Sequence, residues 1–264
     1  MSKKKVRKKR SKSRVAKKSK TQIDLKVVLN SIYNNIIDLR TTCKCEVFCC
    51  NVAMPTMNYS EFLHIINEIW KKESNETKLN LICKSIEYFF HNEFDKFGME
   101  TMIKPCMLLN ENDQCKYYEF RPLSCRLYGL WPDDMYKERV DKFEKAYEGL
   151  LTRKELPLNT QCKHVKRVNE KQELTKEVIE DLYKALDELD AKVGNFSSVK
   201  IKHGENKRTF HDWLLLKVLG EDRLTALTTF MIGATKEDID DQIEQFKKVF
   251  VDSFTDGVPN IIEE

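Results

Sequence analysis

Glycine is nearly missing from this chain: there are only eight, and the first stands at position 98. Neither GxGxxG nor GxxxxGK(S/T) occurs, which removes the backbone cradles that hold nucleotide phosphates. No run approaches the roughly 18 apolar residues of a membrane span. The N-terminus has no apolar core of the kind a secretory signal needs. Alternating strand patterns and Asn-Gly turns are scarce. These absences point to a mainly α, cytoplasmic protein whose thiols stay reduced.

Acid is absent from residues 1–22, MSKKKVRKKRSKSRVAKKSKTQ, which carry twelve Lys and Arg. The remaining chain holds 34 basic and 42 acidic residues, so a net charge of +4 conceals a basic tail on an acidic body. Such a tail repels itself and has little apolar surface to bury, so it is expected to be disordered. Lys3, Lys4, Lys5, Arg7, Lys8, Lys9 and Arg10 could grip nucleic acid or another polyanion by counterion release. A solubilising arm, or one resting on the acidic body, fits equally well.

Helical periodicity runs through the body. Apolar residues at three-to-four spacing mark a helix from Ile23 to Leu39. Ser60 is placed to cap a second, with Phe62, Leu63, Ile66, Ile69 and Trp70 inward. A third covers 77–94, with Leu81, Ile82, Ile86, Phe89 and Phe90 on its apolar face. Further helices are expected over 134–151, 175–193, 209–219 and 221–231, and a last one to Phe254 that starts with a capping box at Thr235. Ile239, Ile243, Phe246, Val249 and Phe250 form the apolar face of that last helix. No internal repeat is visible. Three regions follow: a disordered tail over 1–22, a cysteine-cluster metal-binding domain over 23–170, and a C-terminal helical region over 171–264.

Nine cysteines is an odd number, which disfavours a complete disulfide framework. Eight lie in turn-rich segments: Cys43, Cys45, Cys49 and Cys50, then Cys106, Cys115 and Cys125, then Cys162. Cys83 sits among Leu81, Ile82 and Ile86 and reads as a buried, inert thiol. Thiolates converging from neighbouring and distant positions are what zinc and iron–sulfur sites need. Eight suit two four-thiolate sites, or one site with spare thiols. No cysteine is singled out beside a fixed histidine, which disfavours a lone catalytic thiol. His164 could be a ligand or a solvated loop residue.

The pattern Cys106-x8-Cys115-x-x-Tyr118-x-x-Arg121-Pro122-x-x-Cys125-Arg126 resembles the YkgJ-type cysteine-cluster family, whose domain chelates zinc or iron. That family pairs it with an upstream CxxCxxCC. Cys43, Cys49 and Cys50 fall on its positions, while Glu46 stands where its second cysteine belongs and Cys45 lies one step earlier. A proline and a helix bearing Glu61 follow, as the family pattern often has. The resemblance covers about residues 43–165 and implies an iron–sulfur cluster or Zn²⁺ as cofactor. Tyr118, Arg121 and Arg126 would stand behind the ligands, because a four-thiolate centre keeps a net negative charge that buried cations offset. A distant likeness to flagellin lysine N-methylases implies an alternative, methyl transfer to a lysine of a protein substrate. Three function classes therefore remain open: a metal protein with a structural or redox centre, a metal-dependent modifying enzyme, and a nucleic-acid-associated factor.

Overall fold

The computed structural model describes residues 23–34, 36, 50, 54–96, 105–146, 174–194, 207–231, 234–253, 258, 260 and 261. The basic segment 1–22 lies outside the described residues, and so do Cys43, Cys45, Glu46, Cys49, Cys162 and His164.

The fold is mainly α, as the periodicity predicts. In chain order it has α1 (Leu25–Asn34), β1 (Thr56–Asn58), α2 (Tyr59–Lys72), α3 (Asn75–Lys96), the short turn α4 (Leu123–Arg126) and α5 (Asp133–Ala146). Then come α6 (Lys176–Gly194), β2 (Lys207–Thr209), α7 (Phe210–Leu219), α8 (Glu221–Met231) and α9 (Lys236–Ser253). Among the described residues no helix is long and apolar enough to cross a membrane.

The centre of the molecule is built from α2, α3 and α7. Helix α2 buries every residue from Tyr59 to Ile66 together with Ile69 and Trp70, so it is covered nearly all round. Its predicted inward positions Phe62, Leu63, Ile66, Ile69 and Trp70 are all buried, as are Leu81, Ile82, Ile86, Phe89 and Phe90 of α3. Helix α3 packs on α7, α8 and α9, while α6 lies against α1 and α2. In α9, Ile239, Ile243 and Phe250 are buried and Phe246 packs at the core edge. Val249 departs from the expected face: it turns outward and is 69% exposed.

Two local expectations are corrected. Ser60 does not cap α2. Asn58, extended at φ −70° and ψ 157°, is the N-cap, and Ser60 sits inside the first turn. The reason is the strand before it: β1 keeps the chain extended through Asn58, and Glu61 returns its Oε2 to the Asn58 N–H at 2.9 Å. Cys83 is half-buried, not enclosed. Burial still pushes its thiol pKa up, against the pull of nearby Lys247. The capping box of α9 forms as expected, with Thr235 N donating to Asp238 Oδ2 at 2.9 Å and Asp238 N to Thr235 Oγ1 at 3.2 Å.

The strands β1 and β2 are too short to show a period in the sequence. They pair antiparallel, with Thr56 opposite Thr209, Met57 opposite Arg208 and Asn58 opposite Lys207. Each runs straight into a central helix. Asn58-Tyr59-Ser60-Glu61-Phe62 and Thr209-Phe210-His211-Asp212-Trp213 then play the same parts: cap, aromatic, spacer, acid in the first turn, aromatic. No position is identical between the two, so a repeat invisible in the letters is present in the roles. The four rings interlock across the pseudo-symmetric pair, with centroids 5.0 Å apart for Tyr59–Trp213, 5.6 Å for Phe62–Phe210 and 6.3 Å for Phe62–Trp213. Such tilted and offset pairs add to simple burial.

Candidate metal centre

The cysteine-bearing stretches meet at Cys50, Thr56 and Glu61. Cys106 N donates to the Cys50 carbonyl at 2.5 Å, tying the downstream stretch to the upstream one. Ser124 Oγ donates to the Thr56 carbonyl at 2.7 Å, and Leu123 N to Glu61 Oε1 at 2.6 Å. These bonds anchor the turn that carries Cys125.

Between Cys106 and Cys115 the chain makes a tight excursion. Leu109 bridges Cys115, Lys116 N donates to the Leu108 carbonyl at 2.9 Å, and Asn110 N to the Gln114 carbonyl at 2.8 Å. Asn110 Oδ1 gathers the N–H groups of Asn112 and Gln114, both at 2.9 Å, and Asp113 takes φ 56°. Asn and Asp suit these positions because their side chains bond the backbone and tolerate the left-handed region. Cys125 lies within the single helical turn α4, whose N-cap is Pro122 at φ −66°. Proline costs nothing there, because the first turn has no intrahelical use for its missing N–H.

The arginines have a use that charge alone does not suggest. Arg121 Nε donates to the Tyr118 carbonyl at 2.9 Å, and its guanidinium lies 3.4 Å from the Tyr118 ring centroid. Arg126 donates through Nε to the Arg121 carbonyl at 2.8 Å and through Nη2 to the Glu119 carbonyl at 2.6 Å. Its guanidinium also stands 4.3 Å from the Tyr33 ring centroid. Both cations thus brace the 118–126 turn through main-chain carbonyls. Burial lowers the Arg126 pKa, while Tyr33, Glu61 and Cys125 draw it back up. Lys116 and the Tyr117 hydroxyl share the Glu73 carboxylate at 2.8 and 2.9 Å. The Lys116 ammonium holds that carboxyl below its usual range. Tyr88 donates to the Pro105 carbonyl, and burial, followed by the Cys106 charge, pushes its pKa up to about 12.

On the other side of the stretch, Phe120 packs against the edge of His64, ring centroids 5.1 Å apart. His64 is 9% exposed, and burial lowers its pKa. The unfolded chain therefore takes up the proton first, near pH 6.5. This group's contribution to stability is complete above that value and falls as pH drops through it toward the lower folded pKa. Between pH 7.5 and 5.5 the urea midpoint should fall more for the wild type than for His64→Phe. Parallel pH profiles would refute this.

Cys50, Cys106, Cys115 and Cys125 are described, and the other four proposed ligands are not. Cys106 is buried; Cys50, Cys115 and Cys125 are half-buried. Among the described residues no three Cys, His, Asp or Glu side chains gather closely enough to hold one ion. The donor set nevertheless fits in kind, since thiolate sulfur ligates both zinc and iron.

Residues 41–148 match the CxxCxxCC family model, described as a putative zinc- or iron-chelating domain. The match covers under half of the chain and takes in every described cysteine. The CxxCxxCC description names the same pair of metals that the thiolate chemistry indicates. No curated protein and no solved structure matches the chain.

Several residues that frame the CxxCxxCC segment escaped the sequence reading. Asp190 of α6 is 3% exposed and accepts from Asn58 Nδ2 at 2.9 Å, Tyr59 N at 3.1 Å and Ser60 N at 2.8 Å. Burial raises its pKa and the donors oppose that. One signal was present: Asp190 falls on the same face as Leu182, Leu186, Leu189 and Val193, a charge within an apolar stripe. His211, 1% exposed, brings Nδ1 to 3.3 Å from the Met54 sulfur, beside the Tyr88 ring. Nothing in the sequence links Met54 to His211.

Proposed function

We propose that this protein holds an iron–sulfur centre through cysteine thiolates, with a structural or redox role. The observation that carries this reading is the joining of two cysteine-bearing stretches on one short segment, Cys106 to Cys50 and Ser124 to Thr56. Cys43, Cys45, Cys49, Cys50, Cys106, Cys115, Cys125 and Cys162 are the proposed ligands. Their number exceeds the four that a structural zinc needs and includes the vicinal pair Cys49-Cys50. When bound, a cluster supplies one-electron redox chemistry and ties its loops together. The protein's part is to fix those loops: Asn110 and Pro122 shape them, and Arg121 and Arg126 clamp the turn behind Cys125.

The test is anaerobic purification followed by metal and sulfide analysis. Brown protein containing iron and sulfide is the expected result, with most of the metal lost in Cys125→Ser and retained in Cys83→Ala. Colourless protein with stoichiometric zinc would replace the cluster with a zinc site. Folded, metal-free wild type would refute metal binding altogether.

A further inference from the structure

One buried carboxylate joins three separate parts of the chain around the cysteine stretches. Glu61 stands in the first turn of α2 and is 2% exposed. Its Oε1 accepts from the Tyr33 hydroxyl of α1 at 2.6 Å and from Leu123 N at 2.6 Å, at the start of the turn carrying Cys125. Its Oε2 accepts from Asn58 N at 2.9 Å, at the end of the segment that begins at Cys50. We propose that Glu61 is a positioning residue for the metal centre, setting where Cys125 stands relative to Cys50 and Cys106 without itself ligating. This rests on the cysteine-ligated centre proposed above.

Three observations separate this role from the alternatives. Glu61 belongs to no group of described side chains able to hold an ion. The bonds of Arg121 and Arg126 to carbonyls stay inside the 118–126 turn and fix its shape, and beyond it Arg126 reaches the Tyr33 ring of α1 but not the segment that carries Asn58. Two hydrogen bonds tie α4 to described residues of the 56–61 region and differ in kind: Ser124 to Thr56 is neutral and exposed, whereas Leu123 to Glu61 is buried and charge-assisted.

The chemistry also requires a carboxylate here. Two main-chain N–H groups point at different oxygens of Glu61, and a main-chain N–H can only donate. Glutamine has the same length but one acceptor oxygen. Whichever way its amide is turned, its NH₂ faces the N–H of Asn58 or that of Leu123. One tie is then broken while the side chain keeps its size.

The experiment compares full-length wild type, Glu61→Gln and Tyr33→Phe, purified anaerobically. Metal per chain is measured, then the rate of metal release to a strong chelator well below the unfolding temperature, with far-ultraviolet circular dichroism as the fold control. Glu61→Gln should keep its helical spectrum and release metal about 10–100-fold faster, the usual scale for residues that orient ligands. Tyr33→Phe should release metal only a few-fold faster, because both main-chain ties survive. Ile243→Val, a buried change in α9, which packs on α3, should release at the wild-type rate, which separates positioning from general loss of stability. Metal-loaded wild type and an equally retentive, folded Glu61→Gln would overturn the positioning role alone. If Glu61→Gln fails to fold, Tyr33→Phe decides, and a wild-type release rate overturns the proposal. Wild type carrying no metal would overturn the centre itself and this role with it.

Discussion

Trp213→Ala should lower the free energy of unfolding by about 3–5 kcal/mol, the range for removing a buried indole from a packed core. Trp213 is 1% exposed, donates Nε1–H to the Met57 carbonyl at 2.9 Å, and packs against Tyr59 and Phe62. Its loss leaves a cavity between α2 and α7 and a buried carbonyl without its donor. Because domains of this size hold only about 5–15 kcal/mol in total, the variant would stand near the edge of folding at 37 °C. Urea unfolding followed by circular dichroism measures the change. Trp213→Phe should cost clearly less, since an aromatic ring still fills most of the site and the loss is confined to the indole N–H and part of the ring volume. A loss below about 1 kcal/mol in Trp213→Ala would mean that α2 and α7 do not share this core.

Asp190→Ala comes second, at about 3 kcal/mol or more. It strips the acceptor from Asn58 Nδ2, Tyr59 N and Ser60 N together, at a helix start where water cannot replace it. Each buried donor left without an acceptor costs about 1–3 kcal/mol. Asp187 still offers Oδ1 to Asn58 Nδ2 at 2.9 Å, which softens one of the three losses. The effect should appear as a lower urea midpoint with an unchanged slope. Asp187→Ala should be milder, because Asp190 keeps all three donors. Equal losses for the two would show that the acid at 190 is not the principal acceptor at this helix start.

Much of the helical core was legible because burial on a helix face writes itself at three-to-four spacing. Phe62, Ile66 and Ile69 of α2, and Ile82, Ile86 and Phe90 of α3, could be read that way. The cysteine stretches stood out for another reason: thiols gathered in two turn-rich segments are the donor pattern that zinc and iron–sulfur sites need. What stayed hidden were pairings between distant positions. A strand of three residues has no period, so β1 and β2 left no trace, and with them went the true cap at Asn58. Apart from Asn58, which stands close to Glu61 in the chain, the partners of Glu61 and Asp190 lie 28 to 132 positions away, and local pattern carries no information over that span. Arg121 and Arg126 were noticed through their charge, yet their hydrogen bonds run to carbonyls, which every residue has. Val249 shows the opposite failure, an apolar letter at helical spacing that the fold leaves in water.

The β1–β2 pairing has a consequence for synthesis. Met57 waits for a partner 156 positions later, and closing so large a loop costs entropy that the four interlocked rings, the short ladder and the packing of α7 on α3 offset. A ribosome making the chain from its N-terminus delivers every cysteine before it delivers Trp213. The thiols therefore emerge before the ring cluster and ladder that hold the Asn58–Phe62 segment are complete. Metal loaded on the nascent chain would meet an unsettled set of sulfurs, whereas metal loaded after release would meet a frame already closed from behind.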